Sequence, residues 1–354
     1  MQKNIAVKID ELNKLKRSVD FNTYDFSVKE IISLVKDHVI NISPDYQRKF
    51  RWDKERQSAL IESILLGIPI PSIFMATNAD ATWEVIDGVQ RISTMLNFAL
   101  DKDDLLRADE QLSTPLKLTG LSKLKSFNGM SFEDFPQTLK YEFQLKPIKV
   151  ITLSDKSDRL VRFDLFERLN TGGVKLSDQE IRSCIFKGRF NEFLKEKAQN
   201  RDFQNVVKLT DSQKNDGSLE ELVLRFFAYL LYRDHFEHGV KDFLNEYMGK
   251  ADKEFAYQRN SDLFDNVFSQ LNQLDFGIVK SETRKVTSFV LYEAVAVGAA
   301  EAIISGANSL KLDGFYNWVK EPELNKLVTG ATNTTWKVYG RIEYCKKRFV
   351  GNNV

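Results

Sequence analysis

The sequence predicts an α+β protein: a small mixed α/β lobe over residues 1–155, then a larger all-helical lobe over 156–354. Three observations lead there. Two β-rich runs, Ser72 to Thr77 and Thr82 to Ile86, flank the short turn Asn78-Ala79-Asp80-Ala81, and Glu142 to Leu153 is a third strand candidate. From Lys156 onward the apolar residues recur almost throughout at helical spacing. With 354 residues and 42% hydrophobic content, the chain can bury a sizeable core, enough for two lobes.

Residues 1–26 form a polar lead-in with no strong pattern. Val28, Ile31, Ile32, Leu34 and Val35 then mark a short helix that ends near His38. A loop containing Pro44 precedes a stronger helix, Lys54 to Leu66, whose apolar face is Leu60, Ile61, Ile64 and Leu65. Gly67-Ile68-Pro69-Ile70-Pro71 stops it, because proline cannot extend the hydrogen-bond ladder. After the hairpin, Asp87-Gly88 closes the second strand and Gln90 to Leu100 resumes a helix. Residues 101–137 read as a charged, loop-rich insertion. The later helices are expected over Asp158 to Leu169, Ser177 to Phe186, Ser218 to Tyr232, Glu254 to Leu274, Thr287 to Ile304 and Thr334 to Phe349.

Lys plus Arg (51) nearly cancels Asp plus Glu (50), so no global field draws the chain to nucleic acid or membrane, and any such attraction must be local. Cys184 and Cys345 are far apart and read as buried thiols, not as a disulfide or zinc framework. The polar stretch Met1 to Leu15 is unlike a secretory signal, and the longest apolar run, Val290 to Ile304, is interrupted by Glu293 and Glu301. A cytoplasmic protein with no membrane partner is the expectation.

The chemistry concentrates in two runs. Pro44-Asp45-Tyr46-Gln47-Arg48 is followed by Phe50-Arg51-Trp52, and Ile86-Asp87-Gly88-Val89-Gln90-Arg91 ends the hairpin. Each places Gln-Arg beside an acid at the mouth of a helix. Asp87 at a strand's exit, with Gly88 permitting close backbone approach, can position water, stabilise a cationic transition state or hold a metal; alternatively it is an N-cap or a fixed Asp–Arg pair. Gln90 and Arg91 open a helix whose free N–H groups favour anions, and Arg91, like Arg48 and Gln47, can grip a phosphate; the competing reading is a buried network with Asp45 and Asp87. Tyr46 is placed to stack on a base, or else packs in the core. Asn170-Thr171-Gly172-Gly173 can form an anion nest, while Ser177 with Glu180 caps the next helix; Arg168 and Arg182 lie on either side. On the last helix Lys337 and Arg341 suit a DNA backbone, or a solvated face. His235 and His238 read as surface residues, and no metal site is expected.

Several of these runs, in order, resemble a known family. Pro44 to Trp52, Leu60-Ile61-Glu62-Ser63-Ile64-Leu65, Pro69-Ile70-Pro71 and Ile86 to Arg91 are similar to the N-terminal domain of GmrSD-type restriction proteins, which is related to the ParB/sulfiredoxin-like fold. Phe166 to Gly173 and Leu176-Ser177-Asp178-Gln179-Glu180-Ile181-Arg182 resemble its second signature. Val89 departs from the family's acid-Gly-Gln-Gln-Arg run. Three histidines and the helical C-terminal lobe lead us to expect a stand-alone member without the His-Asn-His nuclease domain of many relatives.

The resemblance implies bacterial defence against phage, acting on double-stranded DNA with modified bases such as glucosylated hydroxymethylcytosine. Excision of the modified base by N-glycosidic hydrolysis is one expectation. It places Asp87, Gln90 and Arg91 at the reaction, with Tyr46, Gln47, Arg48, Gly88, Arg168, Asn170, Thr171, Gly172 and Gly173 binding substrate, and it needs no cofactor. The alternatives are a Mg2+-dependent nucleoside-triphosphate hydrolysing or sensing subunit that controls a separate nuclease, and a non-catalytic DNA-binding module. A partner nuclease or downstream repair enzymes are implied as partners.

Overall fold

The computed structural model describes residues 9, 20–42, 52–78, 80–108, 115–154, 159–169, 176–237 and 239–351, with the side chains of 159–162 and 169 excepted. The chain divides into two compact units, 1–176 and 177–354, so the division falls beyond the 155 boundary expected from sequence. The architecture is α+β, with the sheet in the first unit and helices filling the second.

The first unit runs β1 (Phe21–Ser27), α1 (Val28–Lys36), β2 (Ile40–Asn41), α2 (Lys54–Leu65), β3 (Ile73–Thr77), β4 (Trp83–Asp87), α3 (Val89–Ala99), α4 (Lys102–Ala108), α5 (Gln137–Gln144), β5 (Pro147–Leu153) and α6 (Arg159–Leu169). The strands form one sheet in the order β1-β5-β3-β4-β2. β1 pairs antiparallel with β5, β5 parallel with β3, β3 antiparallel with β4, and β4 parallel with β2. Side chains alternate across this sheet: Ile73, Met75, Val85, Ile148 and Val150 face a core that includes Ile31, Val35, Ile61, Met95, Leu96 and Phe98 from α1, α2 and α3.

Local chemistry sets the helix ends. The Ser27 hydroxyl accepts from the Glu30 N–H at 3.1 Å, and Asp53 accepts from the Arg56 N–H at 2.7 Å, each capping its helix. Gly67, at φ +70°, follows the end of α2 in the left-handed conformation that glycine takes without penalty. Glu62 of α2 is buried and accepts from the Lys123 and Leu124 N–H groups, both at 2.7 Å, which ties down the 101–137 insertion. Those hydrogen bonds, that from Leu124 first, hold its carboxyl below the usual carboxylate range.

Three expectations are corrected here. The lead-in is not unpatterned to its end: β1 starts within it at Phe21 and is an edge strand paired along its length with β5. The run Glu142 to Leu153 is not strand throughout: α5 occupies its first residues and the strand begins at Pro147. The 101–137 insertion also contains a helix, α4.

The second unit contains α7 (Asp178–Ile185), α8 (Arg189–Ala198), α9 (Arg201–Val206), α10 (Asp211–Lys214), α11 (Ser218–Leu231), α12 (Val240–Glu254), α13 (Tyr257–Leu271), α14 (Phe289–Ile304), α15 (Phe315–Trp318), α16 (Pro322–Val328) and α17 (Thr335–Val350). A break at Phe255-Ala256 separates α12 from α13, where sequence had suggested one helix over Glu254 to Leu274. Gly298 lets α14 and α17 touch: a Cβ there would lie 2.7 Å from Cys345 Cβ and 2.9 Å from the Ile342 carbonyl oxygen.

A chain of alternating charges crosses this unit. Arg182 Nη2 meets Glu221 at 2.5 Å, Glu221 meets Arg225 at 2.7 Å, Arg225 meets Glu293 at 2.5 Å, and Arg341 also bonds Glu293. Arg182, Glu293 and Arg341 are each about fully buried, which is tolerable only because each charge has an opposite neighbour. Both cysteines are buried free thiols. Among the described residues no helix is long and apolar enough to cross a membrane.

Candidate functional site

The site begins with a fault in the β3–β4 ladder. Thr77, Ala76 and Met75 pair with Trp83, Glu84 and Val85, but Phe74 pairs with Asp87, so Ile86 is an extra residue on β4. In an unbroken strand Asp87 would share the core-facing side with Trp83 and Val85. The bulge puts it on the opposite side, beside Phe74. A carboxylate that alternation would have buried in the core is thereby brought to a half-exposed position, with 24% of its side chain accessible.

Gly88 follows at φ +108°, a backbone conformation that side chains rarely adopt, and stands at the N-cap of α3. A methyl group there would meet Ile73 Cγ1 and Cγ2 at 3.1 and 3.2 Å. The sharp turn aims the start of α3 back at Asp87. Arg91, one helical turn on, places Nη2 2.5 Å from Asp87 Oδ2. Its Nη1 donates to the Pro71 carbonyl and, at 3.1 Å, to the Ser72 carbonyl. Pro71 has no N–H and its carbonyl lies outside the sheet ladder, so the guanidinium serves a segment that sequence marked only as a helix stop.

Trp52 is the described end of the first Gln-Arg run, and it meets the second at this turn. Gln90 accepts from the Trp52 N–H at 3.2 Å, and the Trp52 carbonyl accepts from Gln57 at 2.8 Å. Gln57 in turn accepts from Asn97 of α3 at 3.3 Å. On the other side of the loop, β2 runs parallel to β4, with Asn41 opposite Glu84, so the chain leaves β2 toward the Asp87 end of the sheet. Tyr46, Gln47 and Arg48 themselves lie outside the described residues, as do Asn170, Thr171, Gly172 and Gly173.

The positions of the other expected residues differ. Arg168 is exposed on α6. Ser177 and Glu180 form the capping box read from the sequence: Glu180 N–H to Ser177 Oγ is 3.1 Å, and Ser177 N–H to Glu180 Oε2 is 2.6 Å. Arg182 does not face a cleft; it is 1% exposed and held by Gln179 and Glu221. Arg341 is likewise turned inward at 0% exposure, with Nη1 donating to the Thr332 carbonyl at 2.8 Å and Nη2 to Glu293, which leaves it no surface to offer a DNA phosphate. Lys337 is partly exposed and donates to the Thr329 carbonyl at 2.8 Å. His235 stacks on Tyr232 with centroids 3.9 Å apart, and His238 lies outside the described residues.

One acid escaped the sequence reading. Glu84 is 2% exposed and, through its pairing with Ala76, shares the sheet side of Asp87. Its signal was visible: it is the lone charge in Trp83-Glu84-Val85-Ile86, where alternation alone did not reveal that both sides of the strand are covered. Among the described residues no group of three or more His, Cys, Asp or Glu is placed to hold a metal ion.

Residues 28–187 match the family described as GmrSD restriction endonuclease, N-terminal domain. Over those residues the chain carries a GmrSD-type N-terminal domain. The GmrSD match takes in α1 through α7, including the bulge, the Asp87–Arg91 turn and the capping box. A comparison with curated proteins finds no match.

Proposed function

We propose that this chain serves restriction-related defence against phage by removing a modified base from double-stranded viral DNA, with Asp87 as the reacting carboxylate. The observation that carries the reading is the Asp87 turn: a bulge brings the acid out of the core, and Arg91 grips one of its oxygens. Among the described residues nothing takes the other oxygen.

Hydrolysis of an N-glycosidic bond suits such a group. As the bond from C1′ to the base nitrogen breaks, its electron pair leaves with the base and positive charge grows on the sugar. A fixed carboxylate stabilises that charge and accepts a proton from the attacking water, whose oxygen ends on C1′. The departing base takes up a proton from solvent. Arg91 acts here as a positioning residue, keeping Asp87 aimed, and Gln90 holds Trp52 at the same turn. The target base must leave the helical stack to reach the acid. Tyr46, Gln47 and Arg48, with the Asn170 to Gly173 run and Arg168, are the proposed substrate contacts, and Lys337 a DNA-backbone contact.

The test is direct. The full chain is incubated with DNA carrying glucosylated hydroxymethylcytosine and with unmodified DNA, in EDTA and without nucleotide, and alkali-labile sites are counted. Sites confined to the modified DNA and lost in Asp87→Asn support the reading. Release of phosphate from a nucleoside triphosphate with Mg2+, and no lesion in DNA, overturns it in favour of a nucleotide-hydrolysing regulatory subunit.

A further inference from the structure

In the second unit, where α12 breaks before α13, lies a cavity of about 450 Å3, within the size range of small-molecule sites. Tyr247, Ala251 and Asn260 form its buried floor, and Lys250, Glu254 and Arg259 its exposed rim. Neither the Lys250 nor the Arg259 head group has an acidic partner among the described residues.

Two features of this cavity point to an anion with an organic body. First, α13 begins with Ala256, which offers no side-chain cap, and its first turn contains no acid, so unpaired N–H groups and the positive end of the helix dipole meet the cavity beside Arg259. Second, Asn260 is only 6% exposed, yet its side-chain amide has no hydrogen-bond partner among the described residues. The Tyr247 hydroxyl, in a side chain 4% exposed, is also without one, and burial pushes its phenol far up, so it stays a donor. Buried amides ordinarily find partners, and a ligand in this cavity would supply one for Asn260. The wall is also rigid. Tyr232 is bonded to Glu246 at 2.6 Å and stacked on His235, with Lys250 Nζ 4.9 Å from its ring centroid.

We propose that this cavity binds a nucleoside monophosphate. The phosphate sits at the start of α13 between Lys250 and Arg259, as helix N-termini and guanidiniums favour. The base lies against the apolar wall of Ala251 and Leu263, with the Asn260 amide, both donor and acceptor, bonding its edge. Glu254, the one acid on the rim, accepts from the ribose hydroxyls. The site stands apart from the Asp87 reading, being built wholly from second-unit residues.

Calorimetric titration of the full chain with AMP, GMP, CMP and UMP, with the matching nucleosides and inorganic phosphate alongside, tests this. At least one monophosphate should bind about tenfold more tightly than both its nucleoside and inorganic phosphate, and Arg259→Ala should weaken it about tenfold, the loss of one charge-assisted contact. Arg259 is exposed, so the variant should keep the wild-type thermal midpoint, and Lys250→Ala gives a second rim variant should it not. Asp87→Asn should leave the affinity unchanged. Binding of no monophosphate, binding no tighter than that of inorganic phosphate, or full affinity in both rim variants overturns the proposal. None of these outcomes bears on the abasic-site assay.

Discussion

Arg91→Lys separates charge from shape at the Asp87 turn. The guanidinium spans three acceptors: Asp87 Oδ2 at 2.5 Å and the carbonyls of Pro71 and Ser72. A lysine ammonium keeps the charge but cannot straddle a carboxylate on one side and two carbonyls on the other. If it follows Asp87, both carbonyls lose a charged donor, and each such hydrogen bond contributes about 1.5–3 kcal/mol. Water can reach part of this half-buried site, so the expected net loss is about 2–4 kcal/mol. Equilibrium urea unfolding of the full chain measures it, and a double-mutant cycle with Asp87→Asn isolates the coupling between the two side chains. Asp87→Asn should cost less, about 1–2 kcal/mol, because the amide oxygen still accepts from Arg91. Stability within about 0.5 kcal/mol of wild type in Arg91→Lys, with no coupling to position 87, would refute the claim that the fork holds this turn together.

Gly88→Ala should cost about 1–3 kcal/mol, from a strained backbone at φ +108° and a methyl pressed against Ile73, and should lower activity beyond its effect on folding; circular-dichroism melts and the abasic-site assay read the two. Arg341→Met leaves Glu293 buried with Arg225 as its remaining cation, and should destabilise by about 3 kcal/mol in urea titrations, whereas a DNA-backbone role predicts loss of DNA affinity with stability intact. Glu62 has its folded pKa depressed, so its stabilisation is complete above the ordinary glutamate value of about 4.3 and fades as pH falls through the lower folded value. Glu62→Gln should therefore flatten the acid limb of the stability–pH curve below about pH 4.3 and lower stability at neutral pH.

The reassignment of charged residues in the second unit has a common cause. Arg341 lies on α17 between Val338 and Cys345, at the i, i+3, i+7 spacing of that helix's buried stripe. Arg182 sits beside Ile181 and one turn before Ile185 and Phe186, again on a buried face. Phase within the helix therefore carried a signal that these guanidiniums point inward. Their partners did not, because Glu221 and Glu293 are on other helices far along the chain, and a basic helix end reads the same whether its charges meet water or carboxylates.

What sequence alone determined was local. Apolar periodicity and stop signals placed α1, α2, the β3–β4 hairpin and α3; Ser177 with Glu180 announced a capping box, and the ordered motifs pointed to the GmrSD family. These features depend on residues within a turn or two of one another, so the chain states them directly. Tertiary structure alone decided that β1 pairs with β5, that an extra residue at Ile86 turns Asp87 away from the core, and that Arg91 spends its donors on Pro71, Ser72 and Asp87. Strand partners, ladder register and the destination of a long side chain are settled by contacts between distant segments, where each buried polar group must find its mate, and no local pattern records that choice.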